Sequence, residues 1–122
     1  MIVKTLRRHA FNQGYYYGIE MAMLQIKRTE GILITPAEAR GPIAREAEAS
    51  FGSDNTGLPN RHLDALGVSW RQGARSGIED INDMWRANSE PDIDPESLSS
   101  LVDQIYRMVL DMAASTNVPN VS

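Results

Sequence analysis

Two stretches of this chain, 59 positions apart, carry one pattern: an aromatic residue, any residue, Gln, Gly, three variable residues, then Gly-Ile-Glu. The first runs from Phe11 through Gln13, Gly14 and Gly18 to Glu20, the second from Trp70 through Gln72, Gly73 and Gly77 to Glu79. Both sit inside apolar spacings of three and four, the mark of a helix. A glycine inside a helix costs roughly 0.8–1 kcal/mol relative to alanine, so four of them need a reason. Two glycines four apart leave a smooth strip on which a second backbone can approach closely. The expectation is that the helix carrying Gly14 and Gly18 crosses the helix carrying Gly73 and Gly77. Chance resemblance between two amphipathic helices and a glycine floor left open for a ligand are the competing readings.

The first helix is expected from Val3 to Arg28, ended by Gly31. Val3, Leu6, Ala10, Gly14, Tyr17, Met21 and Leu24 form one stripe, with Phe11, Tyr15, Gly18, Ala22 and Ile26 beside it. Ile19 and Met23 then point to the far side, which makes the C-terminal half apolar nearly all round. Such a helix is the centre of a bundle or half of a dimer interface. Ile32-Leu33-Ile34 is too short to found a sheet and reads as an apolar connector. Thr35-Pro36-Ala37-Glu38 is a capping box with proline at the first helical position. Gly41-Pro42 interrupts it, which predicts a short turn, a break and a second segment from Pro42 to Ser50. Phe51 to Asn60 has loop chemistry.

Pro59 to Leu66 reads as a short helix closed by Gly67, and Ser69 with Gln72 as a capping box opening a helix from Trp70 to Ala87. Asn88 to Asp94 is an acidic connector. Asp94-Pro95-Glu96 starts a last helix, whose stripe is Leu98, Leu101, Val102, Ile105, Met108, Val109 and Met112. The fold class that follows is all-α, a compact bundle of four main helices plus one or two short ones with the first helix central. Residues 1–115 make one domain, with 116–122 a frayed tail.

The chemistry classes narrow quickly. There is no cysteine among the 122 residues, which removes disulfides, thiolate zinc sites and a cysteine nucleophile. The two histidines, His9 and His62, have no serine or carboxylate at relay spacing. Asp92-Ile93-Asp94-Pro95-Glu96 lacks the loop of alternating oxygen ligands that calcium needs. No metal, no cofactor and no enzymatic activity are expected. A bundle using Glu20, Glu79 and Asp83 on a small molecule is the enzymatic alternative. The greasiest stretch, Gly14 to Ile26, is too short for a bilayer and carries Glu20 and Gln25; with no apolar leader before Arg7 and Arg8, a soluble cytoplasmic protein is expected.

His62-Leu63-Asp64-Ala65-Leu66-Gly67-Val68-Ser69-Trp70-Arg71-Gln72 resembles a helix-turn-helix, best at the Leu-Gly-Val-Ser turn. The resemblance implies that Arg71, Gln72 and Arg75 read base edges from a second helix in the major groove. The pattern departs from it at Leu63, Gly73 and Ser76, where the motif locks its two helices together. An ordinary helical hairpin is the competing reading.

Charge is uneven. Residues 1–78 carry a net +3 and residues 79–122 a net −7. The acidic part could dock on a basic groove, including one that normally holds nucleic acid. With Tyr16, Ile19 and Met23 read as an exposed apolar face of the first helix, a homodimer or a tight protein partner is expected. The leading expectation is therefore a non-enzymatic protein-interaction module that binds a macromolecular partner, with inhibition as one result of that binding. Phage and mobile-element inhibitors of host nuclease complexes share this size and character. Tyr16, Ile19, Met23, Asp80, Asp83 and Glu90 are its partner-binding candidates; a small DNA-binding transcriptional regulator is the alternative.

Overall fold

The computed structural model describes residues 2–51 and 60–117, and among these the chain is four helices with no strand: α1 (Ile2–Thr29), α2 (Arg40–Phe51), α3 (Asn60–Asn88) and α4 (Pro95–Asn117). The all-α bundle is as expected. Of the loop expected over Phe51 to Asn60, the two ends are helical, Phe51 closing α2 and Asn60 opening α3; residues 52–59, like 118–122 of the expected tail, lie outside the described residues, and α4 continues to Asn117.

The centre of the molecule is the α1–α3 pair, and the four glycines make it. A Cβ at Gly14 would stand 1.9 Å from the Trp70 carbonyl oxygen, and one at Gly18 would stand 2.0 Å from that of Ala74. From the other side, a Cβ at Gly73 would meet the Phe11 carbonyl oxygen at 2.0 Å and one at Gly77 the Tyr15 carbonyl oxygen at 2.4 Å. No side chain fits these positions, so the two backbones touch. Contacts advance together along both helices, so α1 and α3 run parallel.

Those contacts are reciprocal. Adding 59 to Gly14 and Phe11 gives Gly73 and Trp70, and the contact Gly14–Trp70 becomes Gly73–Phe11. The repeat of the sequence is thus a pseudo-twofold axis of the structure, and it reaches well past ten residues. Ile19 and Ile78, its equivalents at the seam, are both fully buried. The pairs Ala22 and Ile81, Ile26 and Trp85, Ala39 and Leu98, and Ile43 and Val102 also match in position and are all buried. Helix ends match too. Thr29 donates its hydroxyl to the Gln25 carbonyl at 2.6 Å, and Asn88, 59 residues on, donates its amide to the Met84 carbonyl at 2.8 Å.

Both second helices begin from the same device. The Ala39 amide donates to the Thr35 carbonyl at 3.1 Å and, in the equivalent place, the Leu98 amide donates to the Asp94 carbonyl at 2.8 Å. Glu38 N–H donates to Thr35 Oγ1 at 3.2 Å while Thr35 N–H donates to Glu38 Oε1 at 3.0 Å, a reciprocal capping box. Ser97 N–H donates to Asp94 Oδ1 at 2.9 Å. These amide donors hold both the Glu38 and Asp94 carboxyls below the usual carboxylate range. Pro36 and Pro95 follow each cap, where a missing N–H costs nothing. After the turn at Pro36–Ala39, α2 opens at Arg40, two residues before the expected break at Pro42, because proline in a first turn interrupts no helical hydrogen bond.

The second helices complete the core. The backbone of α2 lies along α3, and α4 packs on α1 and α3. The groove residues pair Arg40 with the Arg75 end of α3 and Ala47 with its Leu63 end, so α2 runs antiparallel to α3. Lys27 pairs with Asp103 at 2.5 Å and Glu20 accepts from Tyr106 at 3.5 Å, which sets α4 antiparallel to α1. Ile43 and Ala47 from α2, with Leu98, Val102, Ile105 and Val109 from α4, close the core over Ile19, Ile26, Ile78, Ile81 and Trp85. Leu33 and Ile34 of the connector pack against it as expected, although Ile32 is exposed.

The expected break at Gly67 is absent: α3 is one helix from Asn60 to Asn88. Leu63, Leu66 and Trp70 all lie on its buried face, and that continuous stripe carries the helix through the glycine. No separate short helix occurs among the described residues.

Candidate functional site

With α3 unbroken, the helix-turn-helix geometry does not form. Ser69 lies inside a helix rather than capping one, and Arg71, Gln72 and Arg75 sit mid-helix instead of at a free N-terminus. All three side chains are exposed.

The partner-binding candidates divide. Ile19 is fully buried, contrary to the exposed face expected of it, because the glycines of α3 draw that helix onto it: a Cβ at Gly77 would lie 2.8 Å from the Ile19 nitrogen. Met23 is half-buried and packs against the core. Asp80 is half-buried and accepts from the Tyr15 hydroxyl. Burial and this carboxylate together push the Tyr15 phenol well above its ordinary range. Asp83 is exposed and pairs with Arg86 one turn on, at 3.2 Å. Glu90 is exposed, as are Asp92 and Asp94 after it on the α3–α4 connection and Glu96 in the first turn of α4.

Tyr16 is 41% exposed, and Leu24, which sequence reasoning placed on the buried stripe, is 49% exposed. With Glu20 between them they form the outer stripe of α1, one turn apart each. Beside it on α4, burial and the Glu20 carboxylate raise the Tyr106 phenol. The equivalent outer stripe of α3 reads Arg75, Glu79 and Asp83, all exposed. One half of the pseudo-dimer thus faces solvent with charges, and the other faces it with an aromatic ring and a leucine.

Charge also gathers in one groove. Arg40 from α2 and Arg71, Arg75 and Glu79 from α3 line one groove of about 570 Å³, floored by Pro36, Ala37, Ile43 and Ala44. Sequence reasoning singled out Arg71 and Arg75 but missed Arg40, which faces them from a helix it began two residues late. The ion pairs among the described residues are Lys27–Asp103 and Asp83–Arg86, so these arginines have no carboxylate partner among them. The carboxylates of the enzymatic alternative do not converge. Glu20 lines a groove with Tyr17, Leu24 and Arg28, Glu79 lines the arginine groove, and Asp83 pairs with Arg86. Among the described residues no three acidic, histidine or cysteine side chains gather where a metal ion could sit. Among the described residues no helix is long and apolar enough to cross a membrane.

Compared with protein-family models, curated proteins and solved structures, the chain matches none of them.

Proposed function

We propose that this protein is a non-enzymatic interaction module whose α1 outer stripe, Tyr16 and Leu24 with Glu20 between, docks on a macromolecular partner. One observation carries the reading. Tyr16 and Leu24 stand at the α1 positions equivalent to Arg75 and Asp83 of α3, and all four are exposed, so exposure alone does not ask for apolar residues there. Large apolar side chains held in water cost free energy that burial against a partner returns, about 25 cal/mol per Å². Met23 borders the stripe. The exposed acids from Glu90 to Glu96 stand at the end of the molecule where α1 also finishes, since α1 and α3 are parallel. That charge favours a partner with a basic surface, of the kind presented by nucleic-acid-binding complexes, and occupying such a surface would inhibit it.

The test exchanges the two outer stripes. Tyr16→Arg with Leu24→Asp installs residues that α3 already tolerates at the equivalent places, so the melting temperature should hold. Wild-type protein used as bait in its native host should retain one stoichiometric protein, and the variant should lose it. Retention of the same protein by the variant would remove the stripe from the interface. Sedimentation of the purified protein tells a second copy of this chain from a different partner. A dimer that the double variant dissolves would assign the stripe to self-association.

A further inference from the structure

We infer that the groove between α2 and α3 is a binding site for a compact phosphate-ester dianion, held by Arg40, Arg71 and Arg75. The argument starts from the charge balance. The chain carries 16 acids and 12 bases, yet these three guanidiniums share one groove with no ion pair to a carboxylate among the described residues. Like charges gathered this way repel one another, and an acidic protein has ample means to avoid it.

The fold does not require them. The pseudo-twofold axis makes Ser99 the equivalent of Arg40, Asn12 that of Arg71 and Tyr16 that of Arg75. Ser99 and Tyr16 are exposed and Asn12 is half-buried, and α4 lies on α1 in its own register, with Asp103 against Lys27. The α1–α3 seam and its buried residues recur in both halves of the sequence, whereas the three arginines occur in one. Their presence on one side alone points to something they bind.

The chemistry of the ligand follows from the groove. A guanidinium presents paired N–H donors that match phosphate oxygens. Three arginines against Glu79 leave a local net charge of +2, which a phosphate monoester near −2 neutralises. A long polyanion fits worse. Beyond Arg71 the next hollow along α2 and α3 is lined by Glu48 and Asp64, which would repel the phosphates of a continuing strand. The arginines are exposed and the floor is short and aliphatic, with no aromatic shelf for a base. The groove therefore reads the phosphate rather than what carries it.

Inorganic phosphate titrated into the full chain at low salt and neutral pH, followed by nuclear magnetic resonance, is the first measurement. The expected result is saturable shifts of the three arginine side chains that weaken as salt rises. Arg40→Ser, Arg71→Asn and Arg75→Tyr together install the residues that stand 59 positions away in the other half of the sequence. That variant should keep its circular dichroism and melting temperature and bind phosphate at least about tenfold more weakly. Parallel titrations with a nucleoside monophosphate and a phosphoserine peptide identify the carrier: the one that binds more tightly than inorganic phosphate is its source, and no tightening by either assigns the site to free phosphate. Unsaturable shifts in the wild type, equal affinity in the folded triple variant, or tighter binding of duplex DNA than of any monoester would overturn the inference.

Discussion

The Tyr15 hydroxyl of α1 donates to the Asp80 carboxylate of α3, joining the two central helices just beyond the point where Gly77 rests on the Tyr15 carbonyl. The pair has no counterpart across the pseudo-twofold axis, where Ala74 and Met21 stand instead. Tyr15→Phe should therefore cost about 1–2 kcal/mol at neutral pH, since it leaves a half-buried carboxylate short of a donor. The phenol's folded pKa is raised, so its contribution is complete below the ordinary phenol value near 10 and fades as pH rises toward the folded one. Chemical denaturation from pH 7 to 11.5 checks this: the gap between wild type and Tyr15→Phe should be constant to about pH 9 and then narrow. A gap already closing at pH 7 would exclude the linkage.

Alanine scanning of the glycines should split by site. Gly14→Ala and Gly73→Ala put a methyl group into a carbonyl oxygen, and backbone cannot swing aside as a side chain can. Each should cost more than about 2 kcal/mol. Gly67, equally helical, has nothing within 4 Å of a would-be Cβ. Gly67→Ala should stabilise by about 0.5–1 kcal/mol. Urea midpoints of the three variants decide it, and a neutral Gly14→Ala would refute backbone contact at the seam.

The end of α1 stores some strain. Glu30 takes φ +57° and Gly31 φ +113°, and the Gly31 amide donates to the Ile26 carbonyl at 2.9 Å, closing the last turn. Glycine adopts the first of these conformations without the Cβ clash that glutamate suffers. Glu30→Gly should raise stability by about 1 kcal/mol, measured by denaturant midpoint. Gly31→Ala should lower it.

Acid should act through the caps. The Asp94 and Glu38 carboxyls lie below their ordinary values in the folded chain, so the stability they supply is present above the usual carboxylate range and is lost as pH falls through the depressed values. Asp94→Ala should lower the melting temperature at pH 7, and the difference from wild type should shrink on the way to pH 2. A difference independent of pH would show that the cap does not work through its charge.

Much of this was legible in the sequence, for reasons that can be named. The bounds of α1 and α4 follow from apolar stripes ended by Gly31 and opened by Asp94-Pro95, features that tertiary packing does not override. The seam was legible because helical glycines are expensive enough to need an explanation. Gly67 misled: its local cost is about 1 kcal/mol, and the buried face of Leu63, Leu66 and Trp70 outweighs it. Ile19 misled as well, because an apolar-all-round helix does not say which side its neighbours take. The full extent of the repeat was hidden because outward residues have diverged, Tyr16 from Arg75 and Leu24 from Asp83, while caps and buried positions have kept their roles. Arg40 could have been found by extending the offset of 59 to Thr35-Pro36 and Asp94-Pro95, which aligns the caps that precede α2 and α4.

Because α2 settles on α3, and α4 lies across α1 as well as its own neighbour, the two sequence halves are braided. Neither segment encloses a hydrophobic interior by itself. A nick in the backbone between them would yield fragments that must find each other before either acquires shape, and melting of the intact molecule should be a single all-or-none event.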